Sequence, residues 1–427
     1  MNAVGKSSKP AAVTKKTPAA ETDKNWKGKN LYLKYKYGSW IWGFKAFEDK
    51  PAVVRELDGH EVLAPKVVCE QNFLDVDRGF PIGNAFFKFN GKAYLVGGET
   101  AGGKPWGKGI WGLPYQLLKS SKKSSDKFYE FNPDTNTLHQ LDDLPLPLPM
   151  PSPIVAEIKG NVYVLYGDHC CLRRNGSPED PRNCFQVLAL DEDGNPSWKS
   201  LPVPPFYDEG TCSHYFKNVV GVVGHKQYVG VGSKVYAFDV DSVEWKQDIL
   251  PFPSDAKTLS SRLMKEGNEG EKHCCFVVVY AEITAANLNR VGLYVALVHC
   301  EDGRLLHEQR IPEALPFNKP CTLGDYQVVE LEQDGGAAAA GHLCSSNPFC
   351  FVYTTGDGGL VGLSVLRISL AAAPPDVEEG TMHSFRWGAD LHVLKFEIPE
   401  KRLYEKPKLV NDLYTGSFDA VFLEAAG

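Results

Sequence analysis

The sequence predicts an all-β protein in which one four-stranded unit is repeated along the chain. Three observations support this prediction: a recurring eight-residue window, a recurring strand–turn–strand segment that follows it, and the composition. Hydrophobic residues make up 43% of the 427 residues, and the chain contains 40 Gly and 29 Pro. This combination suits many short strands that are joined by tight turns around a sizeable core.

The recurring window has Tyr at its fourth place and Gly at its eighth. It reads GKAYLVGG from residue 91, GNVYVLYG from residue 160 and HKQYVGVG from residue 225. Its marker residues are Tyr94, Gly97, Gly98, Tyr163, Gly167, Tyr228 and Gly232. A diglycine after a strand also occurs in phosphate loops, but no start of a helix follows this one. We therefore interpret the glycines as positions where a strand ends too close to its neighbours for a side chain.

A strand, an Asn- or Asp-rich turn and a second strand follow each window. These segments cover residues 126–141, 184–202 and 233–248, and the last two carry Trp198 and Trp245 in the second strand. Asn-Pro-Asp and Asp-Gly sequences give the turns their characteristic chemistry. In the first unit we expect strands at 84–89, 92–96, 127–131 and 137–141. A four-stranded antiparallel sheet that repeats along a chain is the blade of a β-propeller.

These residues resemble the kelch-repeat family of β-propellers. The likeness lies in Gly97-Gly98, in the tyrosine of each window and in the spacing from aromatic residue to Trp in VYAFDVDSVEW (235–245). It covers residues 84–250, weakens afterwards and is closest to divergent kelch proteins of plants, although no F-box precedes the repeats here. The resemblance implies an interaction or adaptor role.

The two ends of the chain are expected to close the ring in one shared blade. Three strands in residues 30–57 lack a first strand before them, and one strand in 416–424 has none after it. Together they complete a blade, so that no sheet edge is left open. With five internal units this predicts six blades, with five and seven as the alternatives. Residues 391–406 are interpreted as a strand–turn–strand pair of the last units.

The predicted domains are a basic disordered tail, residues 1–29, and a propeller, residues 30–427. Residues 1–30 carry seven Lys against Glu21 and Asp23, whereas the whole chain has a net charge of −7. The tail lacks the apolar core of a secretion signal, and a plastid transit peptide or a nuclear signal are the alternatives to disorder. Eleven Cys without a secretion signal favour reduced thiols in the cytoplasm or nucleus.

Charge and hydropathy exclude two classes of partner. The acidic balance argues against a nucleic-acid surface, which needs clustered positive charge. No stretch approaches the roughly 20 apolar residues that a membrane helix needs. We expect a monomer whose partner is another protein.

Long connections are predicted on one face of the ring. Strands alternate in direction, so the connections from second to third strand (b–c) share a face with those between blades (d–a). We expect four long connections there: residues 99–125, 168–183, 145–153 and 58–79. The candidate partner-binding residues are Trp106, Lys108, Trp111, Tyr115, Arg173 and Arg174. Exposed aromatic rings and Arg favour binding, while packing onto the blade and local salt bridges are the alternatives.

The sequence shows no constellation of catalytic or metal-binding residues. The best metal candidates, His169, Cys170 and Cys171, lack the spacing of a zinc site. The iron pattern E-x₃-D-x₃-H of the plant specifier proteins is absent, and so is the nucleophile motif G-x-S-x-G. We therefore expect no metal, no cofactor and no catalytic residue. The alternative to the adaptor is an enzyme or small-molecule binder that uses the central mouth of the ring.

Overall fold

The computed structural model describes residues 25–35, 40–72, 80–100, 123–167, 183–190, 193–207, 216–231, 234–247, 257–266, 273–283, 291–300, 303–311, 323–331, 348–355, 359–373, 375, 384–387, 390–406 and 418–424. Within these ranges the secondary structure is β-strand, with 3-10 turns at Asn25–Gly28 and Pro205–Tyr207 and no α-helix. None of the helical segments found there is long and apolar enough to cross a membrane. Residues 1–24 of the predicted tail lie outside the described ranges.

The described strands are numbered in chain order. The first half contains β1 (Lys29–Tyr35), β2 (Trp40–Lys45), β3 (Val53–Leu57), β4 (His60–Leu63), β5 (Val67–Asn72), β6 (Ala85–Phe89), β7 (Lys92–Val96), β8 (Glu99–Thr100), β9 (Lys123–Ser124), β10 (Phe128–Asn132), β11 (Thr137–Gln140), β12 (Ile154–Ile158), β13 (Asn161–Leu165), β14 (Phe185–Leu190) and β15 (Pro196–Ser200). The second half contains β16 (Phe216–Val223), β17 (Lys226–Val231), β18 (Lys234–Asp239), β19 (Glu244–Gln247), β20 (Lys257–Glu266), β21 (His273–Ile283), β22 (Val291–His299), β23 (Leu305–Arg310), β24 (Leu323–Glu330), β25 (Phe349–Thr355), β26 (Leu360–Ala372), β27 (Ser384–Trp387), β28 (Asp390–Glu405) and β29 (Phe418–Glu424).

Five of the sheets in the described part have the size of a blade or more. Three have four strands each: β29-β1-β2-β5, β6-β7-β10-β11 and β12-β13-β14-β15. An eight-stranded sheet holds two four-stranded meanders, β16–β19 and β20–β23, which one parallel bridge joins. The last holds the meander β24-β25-β26-β28, with β27 beside β28 and the hairpin β3–β4 at the outer edge.

The meanders form a β-propeller. Their first strands contact one another in a closed cycle, in the order β29, β6, β12, β16, β20, β24 and back to β29. We name the meanders blades 1 to 6 in that order, and their strands a to d from the inside outward. The predicted all-β propeller is confirmed, and the observed sheets fall within the predicted range of five to seven blades.

The ring is closed as the sequence predicts, by strands from both ends of the chain. Strand β29 pairs with β1 over seven residue pairs, from Lys29 with Glu424 to Tyr35 with Phe418. The predicted outer strand of this blade was wrong, because Val53–Leu57 turns back onto β4 instead. Asp58 and Gly59 both have positive φ (50° and 81°), the geometry of a two-residue hairpin turn. Strand β5 (Val67–Asn72) takes the outer place, so residues 58–79 contain two strands and are not a simple connection.

Strand β28 also differs from its prediction. Residues 390–405 form one continuous strand rather than a strand–turn–strand pair. Pro399, which suggested the turn, lies at an irregularity where the pairing with β26 shifts between Val365 and Arg367. A proline lacks the N–H that a regular ladder needs, and a bulge removes that requirement.

The two predicted blade tryptophans join neighbouring blades in the same way. Trp198 of blade 3 donates its Nε1–H to the carbonyl of Leu144 (3.2 Å), and its ring packs edge-on against Phe128 of blade 2 (5.7 Å). Trp245 of blade 4 donates to the carbonyl of Pro202 (3.1 Å). The core therefore lies between blades, where apolar faces of adjacent sheets meet.

The c–d turns of blades 2 and 4 share one construction. The side-chain oxygen Oδ1 of Asn132 or Asp239 accepts the N–H groups of the residues two and three positions later. The last turn residue has positive φ, at Asn136 (54°) and at Val243 (56°). Asn tolerates this left-handed conformation, whereas a β-branched side chain is strained in it.

We expect Val243→Asn to stabilise the protein by about 1 kcal/mol, because asparagine relieves the backbone strain without changing the turn. Val243 is exposed, so little packing is lost. The midpoint of urea unfolding should rise. The reciprocal change Asn136→Val should lower it, and a higher midpoint for Asn136→Val would contradict the strain argument.

Candidate functional site

The b–c and d–a connections share a face, as the alternation of strand direction predicts. Between blades 2 and 3, Gly98 N–H at the end of strand b donates to the carbonyl of Met150 in the d–a connection (2.6 Å). We call this side of the ring the insertion face. The a–b and c–d turns lie on the opposite side, which we call the turn face.

A short two-stranded ribbon forms the base of the first insertion. Strands β8 and β9 pair Glu99 with Ser124 and Thr100 with Lys123. Thr100 Oγ1–H donates to the carbonyl of Lys123 (3.2 Å), and Ser125 N–H donates to the carbonyl of Gly98 (2.8 Å). Both ends of segment 101–122 are therefore held side by side on the insertion face. The predicted binding residues of this segment, Trp106, Lys108, Trp111 and Tyr115, lie outside the described residues.

The diglycine of the first window gives this base its shape. Gly97 and Gly98 both have positive φ (68° and 97°). A Cβ on Gly97 would lie 2.6 Å from the carbonyl oxygen of Met150, and a Cβ on Gly98 would lie 2.7 Å from that of Ile82. The close approach of backbone that the sequence predicts for these glycines is thus present in the structure.

The proline-rich connection 145–153 lies between the bases of both insertions. Met150 N–H donates to the carbonyl of Ser125 (3.0 Å), and Leu146, Leu148 and Met150 are buried in the core between blades. At the other end, Ser152 O comes so close to Gly167 that a Cβ there would lie 1.8 Å away. This connection therefore ties the ends of two b–c segments in adjacent blades to one rigid support.

Hydrogen bonds also fix the base of the second insertion. Tyr166 N–H donates to the carbonyl of Cys184 (2.9 Å), and Tyr207 Oη–H donates to the carbonyl of Tyr166 (2.5 Å). Gln186 Nε2–H donates to the carbonyl of Asn183 (2.9 Å). Several predicted residues fall outside the described part of the chain: Arg173, Arg174, His169, Cys170, Cys171 and, in the third window, Gly232.

The tyrosines of the windows serve the packing between sheets. Tyr94 stacks on Phe128 with ring centroids 5.3 Å apart, and Tyr163 and Tyr228 are buried. Burial, followed by the charge of Glu130, raises the pKa of Tyr94 to about 12. Tyr94 is therefore a neutral packing residue at physiological pH, which agrees with its predicted structural role.

A cluster on the turn face was missed by the sequence analysis. Nε2 of His225, in the a–b turn of blade 4, lies 3.3 Å from Oδ2 of Asp239, where the c–d turn of that blade begins. Asp241 lies beside them and forms an ion pair with Lys159 of blade 3. Burial raises the pKa of Asp239, but the N–H groups of Asp241 and Ser242 and the charge of His225 outweigh it, so the net pKa is lowered. The rule that a–b and c–d turns share a face was the signal that could have brought these residues together.

Comparisons with known proteins give one partial family match. Residues 124–259 match a family described as a protein of unknown function, DUF1668. No curated protein matches the chain.

Three solved structures show low similarity. The extracellular domain of a one-component system of B. thetaiotaomicron is 10% identical, with a TM-score of 0.30, over 81% of this chain and 39% of that one. Citrobacter koseri AztD is 8% identical, with a TM-score of 0.22, over 77% of this chain and 92% of that one. The tricorn protease is 10% identical, with a TM-score of 0.20, over 86% and 44% of the respective chains. The chain thus spans about two fifths of the length of the first structure.

Proposed function

We propose that this protein is an adaptor that binds a protein partner through the insertion face of its propeller. The observation that carries the proposal is the shared support of the two insertions. The ends of segments 101–122 and 168–182 are tied to the same proline-rich connection through Gly98, Ser125 and Gly167. Loops that a rigid scaffold positions are where binding residues concentrate.

The chemistry of the first insertion suits recognition of a protein. It contributes Trp106, Lys108, Trp111 and Tyr115 within 22 residues of sequence. Trp, Tyr and Arg supply most of the energy at protein interfaces, and Arg173 and Arg174 of the second insertion add charged contacts. On this proposal the protein acts as a monomer in the cytoplasm or nucleus and does not engage nucleic acid.

The test compares two matched double variants in affinity capture from native extract. Trp106→Ser with Trp111→Ser removes apolar side chains from the insertion. Val53→Ser with Val54→Ser removes exposed apolar side chains from the edge hairpin β3–β4, where they are 52% and 49% exposed. Melting temperatures establish that each variant is folded.

We expect a stoichiometric partner that the intact chain and the hairpin variant retain and that the tryptophan variant loses by at least tenfold in recovery. Deletion of residues 102–122, which leaves the ribbon β8–β9 intact, should have the same effect. A partner that survives both changes to the insertion but is lost with the hairpin variant would overturn the proposal.

A further inference from the structure

Three side chains that commonly bind metals meet where two turns of blade 4 lie side by side. One ligand atom each from His225, Asp239 and Asp241 lie within 4.8 Å of one another. The N–H of Val240 donates to the carbonyl of His225 (3.0 Å), so a main-chain bond holds the two turns together. Ligands on such hydrogen-bonded turns need little rearrangement to bind an ion.

The spacing of the two best-ordered ligands fits a tetrahedral ion. Nε2 of His225 and Oδ2 of Asp239 are 3.3 Å apart. Two ligands at about 2.0–2.2 Å from Zn²⁺ are about 3.3–3.5 Å apart at a tetrahedral angle. Oδ1 of Asp239 accepts two backbone N–H groups, so its other oxygen is held toward His225. An imidazole with two carboxylates suits Zn²⁺ and its neighbours better than Mg²⁺ or Ca²⁺, which prefer oxygen ligands alone.

A buried amide at the same junction points to a ligand independently. Gln227 is fully buried, and within the described ranges neither its Oε1 nor its Nε2 has a hydrogen-bond partner. It pairs across the sheet with Phe238, whose ring packs on blade 3, so Gln227 faces the junction that Asp241 also bridges. A buried amide without a partner costs about 1–3 kcal/mol, and a hydrated ion nearby would supply the missing bonds.

We propose that His225, Asp239 and Asp241 bind a divalent cation of the zinc class at the junction of blades 3 and 4. The ammonium group of Lys159 and the ion compete for the carboxylate of Asp241, because Lys159 now forms an ion pair with it. His225 is about one-third exposed, at 32%, so solvent can complete the coordination. The site lies on the turn face, so it stands or falls independently of partner binding on the insertion face.

The experiment titrates the purified full-length chain with Zn²⁺ by calorimetry and with Co²⁺ by visible absorption, which reports tetrahedral coordination. His225→Ala should weaken binding by at least tenfold, since it removes a ligand without disturbing the core. Lys159→Met should tighten binding, because it removes the competing cation. His139→Ala, a change at another exposed histidine, is the matched control and should have no effect.

The combined variant His169→Ala, Cys170→Ser and Cys171→Ser separates this site from the one the sequence suggests. We expect one ion per chain, retained in the combined variant and lost in His225→Ala. Stoichiometric binding that His225→Ala leaves unchanged, or that the combined variant abolishes, would overturn the proposal. So would the lack of stoichiometric binding in both the natural chain and Lys159→Met. Melting temperatures confirm that each variant is folded.

Discussion

Replacing Trp26 by alanine is expected to lower the free energy of unfolding by about 3–5 kcal/mol. Trp26 is 1% exposed, and its ring packs edge-on against Phe47 with centroids 6.4 Å apart. The guanidinium of Arg367 lies 4.9 Å from the ring centroid, and Nε1–H donates to Glu400 Oε2 (3.3 Å). Alanine would remove all of these contacts and leave a cavity. Urea unfolding of the full-length chain measures the effect.

The position of Trp26 makes this loss a loss of ring closure. Trp26 directly precedes β1, which completes blade 1 with β29, while Arg367 and Glu400 belong to blade 6. Arg402 of the same blade pairs with Glu400 and donates to the carbonyl of Glu48 (2.6 Å). The side chains around Trp26 therefore reinforce the joint between the first and last blades, beyond the strand pairing itself.

Trp26→Phe is the matched control. It keeps most of the buried ring but loses the hydrogen bond to Glu400, so we expect a cost of about 1–3 kcal/mol. If Trp26→Ala and Trp26→Phe unfolded at the same urea concentration as the natural chain, the joint would depend on strand pairing alone.

Gly98→Ala is expected to destabilise the protein by about 2–5 kcal/mol. A non-glycine residue at φ 97° is strained by about 1–3 kcal/mol, and its Cβ would lie 2.7 Å from Ile82 O and 2.9 Å from Pro81 Cβ. Overpacking of this kind typically adds about 1–3 kcal/mol. Urea unfolding and the melting temperature both report the loss. Because Gly98 supports the ribbon β8–β9, recovery of the partner should fall as well.

Gly91→Ala separates backbone strain from steric overlap. Gly91 also has positive φ (76°), but no atom lies within 4 Å of the position of its Cβ. It should cost only about 1 kcal/mol. Equal losses for Gly91→Ala and Gly98→Ala would mean that the contact with Ile82 adjusts freely and that the base of the insertion is not rigid.

Local sequence was sufficient for the repeated unit. The alternation of Ala85–Phe89 and Lys92–Val96, with a turn at Asn90-Gly91, predicts the first hairpin almost to the residue. The windows from residues 160 and 225 predict theirs equally well, because side-chain alternation and turn chemistry act over a few residues.

Pairing between distant segments was predicted less well. Val53–Leu57 and Val67–Asn72 both have the composition of an outer strand, and sequence alone offered no way to choose between them. The Asp58-Gly59 turn commits the first to its own hairpin, which then pairs with Leu403 and Tyr404 of blade 6. A local turn is favourable for one pairing, and the distant partner is left to the other strand.

The candidate sites show the same division. The sequence by itself determined the repeated unit, the glycines that let backbones approach, the tryptophans that join blades and the face that carries the insertions, because each follows from short-range geometry. Only the tertiary structure decided which strand completes blade 1, that residues 145–153 support two insertions at once, and that His225 meets Asp239 and Asp241. These depend on contacts between segments far apart in sequence, and their energies are set by how neighbouring blades pack rather than by any local pattern.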